Sequence, residues 1–183
     1  TTASFSHDEL WRVESITTVD GDQWLTTRLM YDDFDREVMR IFEMPGETQW
    51  LVQEYDGMDR AKRRHLQDAT DPEALQTLRD ETYEYDDRGR LTVYSCEGRL
   101  SPVDAYGKVI RQQLFDFDEV DNITFVTTFF PNTDGSRLER NYATYSFDNP
   151  LDPAQLTKIS NSHVDYDPGQ PIELLYDADG NLI

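Results

Sequence analysis

Apolar and polar residues alternate with a two-residue period along most of this chain. Between Asp22 and Tyr31, Trp24, Thr26 and Arg28 alternate with Leu25, Thr27 and Leu29. That spacing places successive side chains on opposite faces of a strand. From Ile123 to Phe130 both faces are apolar or threonine, the pattern of a strand covered on both sides. Thr, Val, Ile, Tyr and Phe dominate these runs, and clusters of Asp, Gly and Asn separate them, so the pattern predicts antiparallel hairpins in series. Helix-length amphipathic periods are nearly absent. Asp71-Pro72-Glu73-Ala74-Leu75 has a capping residue, then Pro at the first helical position, and predicts a short helix to about Leu78. Ser101-Pro102 and Asp152-Pro153 each predict a single helical turn between hairpins.

The hairpins repeat. Six segments share an aromatic residue, Asp, two variable residues, Asp or Gly, then Arg or Asn. Five are regular: Tyr31-Asp32-Asp33-Phe34-Asp35-Arg36, Tyr55-Asp56-Gly57-Met58-Asp59-Arg60, Tyr85-Asp86-Asp87-Arg88-Gly89-Arg90, Phe117-Asp118-Glu119-Val120-Asp121-Asn122 and Tyr176-Asp177-Ala178-Asp179-Gly180-Asn181. The irregular copy opens with Phe147-Asp148 and continues Asn149-Pro150-Leu151-Asp152-Pro153. The anchoring aromatics are spaced by 24, 30, 32, 30 and 29 residues, too steady an interval for chance.

Each part of the motif has a physical role. The aromatic ends an incoming strand, and two residues earlier, on the same face, stand Leu29, Gln53, Tyr83, Phe115, Tyr145 and Leu174. The Asp that follows accepts from backbone N–H groups two residues on. The fifth position needs a left-handed backbone, which Gly89 and Gly180 adopt freely and which Asp35, Asp59 and Asp121 tolerate at some cost.

This motif resembles the YD-repeat of the RHS family, whose consensus runs Tyr-Asp-x-x-Gly-Arg-Leu. Tyr85-Asp86-Asp87-Arg88-Gly89-Arg90-Leu91 and Tyr176-Asp177-Ala178-Asp179-Gly180-Asn181-Leu182 carry the likeness most fully, and it extends from about Leu25 to Ile183. The resemblance implies hairpin ribbons that spiral into a hollow shell. Bacterial RHS proteins and the C-components of insecticidal toxin complexes enclose a C-terminal toxin in such a shell, and teneurins carry a related one. No aspartyl self-cleavage segment or toxin domain is found here. Tyr166-Asp167-Pro168-Gly169 is only superficially similar to an Asp-Pro-Gly element. Six hairpins cannot close around a cargo. The expectation is an all-β, single YD-repeat region over 1–183, a curved open sheet, as a fragment of a longer shell.

Composition narrows the partners. A net charge of -20, from 37 acids against 17 bases, would repel a nucleic-acid backbone or an anionic membrane surface. Aromatics at 12% argue for a folded chain. No apolar run is long enough to cross a bilayer and no signal-peptide pattern is present. The single Cys96 excludes an internal disulfide and is expected to be buried.

Candidate chemistry is sparse. The turn aspartates could hold calcium, but each turn supplies only two or three carboxylates and no bidentate Glu, so turn formation is the reading. Asp116/Asp118 and Glu84/Asp86 share strand faces as glycosidase carboxylates can, yet such pairs are common among 37 acids. His7, His65 and His163 show no metal-ligand spacing. Lys62-Arg63-Arg64-His65 is expected to pair with nearby acids, and Trp11, Trp24 and Trp50 to pack rather than stack on sugars.

Three functions follow in order. The first is a non-catalytic segment of an exported shell. Its partners are the rest of that shell, an enclosed toxin domain and a toxin-complex partner subunit, with no cofactor or metal. The second is an extracellular module that binds carbohydrate or a receptor. The last is an enzyme, which would need converging carboxylates and a raised pKa.

Overall fold

The computed structural model describes residues 1–177 and 179–183; Ala178, in the last copy of the motif, lies outside the described residues. The protein is all-β. Its strands are β1 Thr2–His7, β2 Val13–Asp20, β3 Gln23–Tyr31, β4 Glu37–Met44, β5 Glu47–Tyr55, β6 Ala61–Asp68, β7 Gln76–Tyr85, β8 Leu91–Glu97, β9 Gln112–Phe117, β10 Ile123–Pro131, β11 Leu138–Ser146, β12 Lys158–Asn161 and β13 Ile172–Glu173. The one helical turn among the described residues is a short 3-10 piece, Val164–Tyr166. No helix there is long and apolar enough to cross a membrane.

The residues form two compact units. Unit 1 comprises Thr1–Tyr83 with Glu97–Ser101, and unit 2 comprises Glu84–Cys96 with Pro102–Ile183. In unit 1, each strand from β1 to β7 pairs antiparallel with the next. In unit 2, β8 to β13 do the same. Strand order within each unit is therefore chain order, as short hairpin connections dictate.

Register explains the pattern of burial. In unit 1, Arg40, Leu51, Leu66 and Arg79 lie directly opposite one another across β4 to β7, so Leu51 sits between two strands of long side chains and is buried. Leu78 on β7 is 1% exposed. Behind it Gly98 presses its Cα against the Leu78 carbonyl, which also accepts from the Leu100 N–H at 2.9 Å. Unit 2 buries Phe130, Val126 and Ala143 on β10 and β11, with Cys96 and Ile110. The both-faces-apolar reading of Ile123 to Phe130 matches this: Val126, Thr127, Thr128 and Phe130 are all buried.

Three helical expectations are corrected. The Asp71 carboxylate does cap the Glu73 N–H at 3.0 Å and one turn closes from Ala74 N to Asp71 O, but the chain becomes extended at Gln76. Burial of Leu78 in the sheet outweighs weak local helix preference over so few residues. At Ser101-Pro102 no helical turn forms; Pro102 instead accepts from the Ile110 N–H at 2.8 Å. Asp152-Pro153 makes a turn, not a helix, with Gln155 N donating to Asp152 O at 3.1 Å.

Candidate functional site

The repeated turn is built almost entirely by its second residue. Asp32 Oδ1 accepts from Phe34 N at 2.9 Å and Arg36 N at 3.0 Å, while Oδ2 takes Arg36 Nε at 2.8 Å. Two backbone bonds, Asp32 N to Arg36 O and Asp35 N to Asp32 O, close the loop. The carboxylate thus satisfies donors that a tight turn would otherwise leave bare. Asp56, Asp86, Asp118 and Asp177 make the same set with their fourth and sixth residues. The fifth residue is left-handed each time: Asp35 at φ 61°, Asp59 at 62°, Gly89 at 83°, Asp121 at 71° and Gly180 at 82°. Strand register slips at the aromatic of the hairpins ending in Tyr31, Tyr55 and Phe117, so the extra residue is absorbed there as a bulge.

These contacts hold the turn carboxyls ionised. The Arg36 guanidinium, with the backbone N–H groups of Arg36 and Phe34, lowers the Asp32 pKa against a burial effect that would raise it. Asp86 is lowered chiefly by the Arg90 N–H, and Asp177 by the Asn181 side chain and N–H.

Neighbouring turns are then joined to one another. In unit 1, Arg12 reaches Asp35 and Arg36 reaches Asp59, each at 2.5 Å. In unit 2, Arg90 reaches Asp121 at 2.8 Å and Arg88 reaches the same carboxylate at 3.0 Å. The same arginines lie over the next aromatic ring: Arg12 over Tyr31, Arg36 over Tyr55 and Arg90 over Phe117, at 4.7, 4.8 and 4.7 Å. The tyrosine hydroxyls donate back to the preceding hairpin, from Tyr31 to Val13 O, Tyr55 to Glu37 O and Tyr176 to Leu156 O. The turns ending at Arg12, Arg36 and Arg90 therefore each supply an arginine that the next turn uses, and those at Arg12 and Arg36 supply a nearby carbonyl as well.

The sequence reading missed two turns. Asp8 makes the full set with Leu10 and Arg12, but its aromatic position is His7 and its left-handed residue is Trp11, at φ 62°. Asp104 Oδ1 accepts from the Tyr106 and Lys108 N–H groups around Gly107, but its Oδ2 takes the Tyr166 hydroxyl in place of the sixth side chain, and Val103 holds the aromatic position. Asp-x-x-x-Arg and Asp-x-x-Gly-Lys spacing would have found both without the aromatic. At the irregular copy, Phe147 is half-buried and Asp148 does not build the turn; its N–H donates to Thr157 Oγ1 at 3.1 Å. The fourth residue there is Pro150, which has no N–H to give. Asn149 takes over, accepting from Leu151 N at 3.0 Å.

Other sequence candidates fall as follows. Arg63 pairs with Asp80 at 2.7 Å and with Glu54. Cys96 is buried. The packing expected of the tryptophans is corrected for Trp11, which is 83% exposed at a turn tip, and Trp24 is also exposed. Trp24 lines a groove of about 650 Å³ in unit 1 together with Phe42, Leu51, Arg40, Arg64 and Arg79. In unit 2, Tyr166 of the Tyr-Asp-Pro-Gly stretch is buried, with its hydroxyl on Asp104 Oδ2, and burial with that carboxylate pushes its pKa up. Lys108 pairs with Asp165, and His163 Nε2 lies 3.3 Å from Glu139.

No family model matches this chain, and no curated protein matches it. Among solved structures it is similar to the crystal structure of TcdB2-TccC3-TEV, with a TM-score of 0.68 at 16% identity, over 98% of this chain and 9% of that one. It is also similar to TcdB2-TccC3 without hypervariable C-terminal region, with a TM-score of 0.52 at 15% identity, over 98% of this chain and 10% of that one. The chain spans about a tenth of the length of the chains it matches. The likeness is one of fold: β-hairpins in series, as in a part of those chains.

Proposed function

We propose that this chain is a non-catalytic length of YD-repeat wall, part of a larger exported bacterial protein that encloses or delivers a toxin domain. The observation that carries this reading is the linkage between turns. An arginine folded back on its own aspartate, stacked on the next aromatic ring and paired with the next turn's carboxylate has a use only in a series of hairpins. The carboxyl groups with displaced pKa values are all lowered, so they serve as ionised acceptors rather than proton donors. Its partners are the remaining wall, the enclosed domain and a toxin-complex subunit of the kind co-crystallised as TcdB2-TccC3.

The test is to read the gene on both sides of this segment and express the whole polypeptide. The expected result is further YD copies and a distal domain that resists protease until the β-structure is denatured. An open reading frame confined to these hairpins, or a distal domain digested at once, would overturn the proposal.

A second reading, a carbohydrate- or receptor-binding module, is favoured by the unit 1 groove, which exposed Trp24 lines together with Arg40, Arg64 and Arg79. It expects glycan-dependent quenching of tryptophan fluorescence that Trp24→Ala abolishes. An unchanged signal across a glycan panel would remove it.

A further inference from the structure

The fourth residue of each turn stands at the loop tip, where water is the natural neighbour and polar residues are the usual occupants. In unit 1 the three successive turns place Leu10, Phe34 and Met58 there, exposed by 68, 77 and 70%. Trp11, beside Leu10, is exposed by 83% and is held in a left-handed conformation that a bulky side chain rarely adopts. Single exposed apolar residues are ordinary. The same position filled by a large apolar residue in three consecutive turns, tied side by side through Arg12–Asp35 and Arg36–Asp59, is a row. Phe34 contributes one local contact, lying 5.1 Å from the Arg36 guanidinium, but that leaves most of its ring in water.

The spacing and charge of this row define what fits it. Consecutive turns are two strands apart, so their tips repeat every ~10 Å. An α-helix rises ~10.5 Å in seven residues. A helix laid along the rim would therefore meet each tip with one apolar residue per heptad. The three turns also carry seven carboxylates against three arginines, and Glu9 and Asp33 have no ion-pair partner among the described residues. The flanks of the row are thus acidic.

We propose that the turn rim of unit 1 is a docking strip for a basic amphipathic helix of a protein partner. The partner's heptad-spaced apolar residues contact Leu10/Trp11, Phe34 and Met58, and its lysines or arginines face Glu9 and Asp33. This assignment does not depend on the wall reading, because the row and its charge belong to unit 1 alone.

The test uses the full chain and three synthetic helical peptides of about 20 residues: Leu/Lys with leucine at about seven-residue spacing, the same leucines with Glu for Lys, and Lys with Ser for Leu. Binding is read by tryptophan fluorescence and by isotope-edited NMR. The Leu/Lys peptide is expected to bind and to perturb residues 8–12, 32–36 and 56–60. Phe34→Ser/Met58→Ser should weaken it at least ~10-fold (~1.4 kcal/mol). Both substituted side chains are exposed, so the circular dichroism and melting curve of the variant should match the parent. Equal binding by the variant, by the Glu peptide or by the Ser peptide would overturn the proposal. So would a concentration-dependent dimer lost in the variant, which would make a second copy the occupant, or equal loss of vesicle binding, which would make it a lipid surface.

Discussion

Arg36 and Asp59 lie 23 residues apart in sequence, yet the Arg36 Nη1 donates to Asp59 Oδ1 while its guanidinium plane sits 4.8 Å from the Tyr55 ring. The same arginine holds Asp32 through its Nε. One side chain therefore belongs to two turns at once. Planarity lets it stack and fork together, which a lysine ammonium cannot do. The hairpin series is stitched at its rim as well as along its strands.

The second residue of the turn should matter more than its neighbour. Asp32→Ala removes the acceptor for two backbone N–H groups and for Arg36, whereas exposed Asp33 anchors nothing among the described residues. Thermal melts should show a lower midpoint for Asp32→Ala and an unchanged one for Asp33→Ala. Equal midpoints would mean that the carboxylate does not hold the turn.

Acid should weaken the fold through these same groups. Asp32, Asp86 and Asp177 have pKa values lowered by folding. Their contribution is complete above the unfolded aspartate value of about 3.9 and is lost as pH falls through the folded values below it. Urea midpoints should be level from about pH 7 to pH 5 and fall below about pH 4. Asp32→Asn/Asp86→Asn should flatten that acid limb.

Gly98 is the glycine that the packing requires. A Cβ there would lie 2.5 Å from the Leu78 carbonyl oxygen, a backbone atom, and φ is +107°. Gly98→Ala should cost about 2–4 kcal/mol in unfolding free energy. Gly107→Ala keeps a positive φ, but its Cβ meets nothing within 4 Å, so it should cost about 1–2 kcal/mol. Denaturant melts of the two variants separate the clash from the backbone strain.

Tyr166→Phe keeps the buried ring against Phe130 but takes the hydroxyl from Asp104. A hydrogen bond to a charged acceptor is worth about 1.5–3 kcal/mol, so the variant should unfold more easily by that amount. Because folding raises the Tyr166 pKa, chiefly by burial and then by Asp104, its stabilisation is full below the unfolded tyrosine value of about 10 and is lost as pH rises beyond it. The parent should lose stability above about pH 10, and the variant should lose less.

The sequence by itself determined the all-β architecture and the regular turns, because both are local. Alternation needs only two residues to set a face, and an Asp reaches N–H groups two and four positions on without help from elsewhere. The same locality explains the Asp148 failure, which Pro150 carries in plain view. Tertiary structure decided what joins distant segments. Arg12 meets Asp35 only because β1, β2 and β3 align, and Tyr166 meets Asp104 across 62 residues. It also overrode a sound local signal at Asp71, since Leu78 gains more by burial in the sheet than a short helix could return. The apolar row of Leu10, Phe34 and Met58 was written in the sequence as three unrelated residues. Hairpin stacking, which sets neighbouring turns side by side, made it a surface.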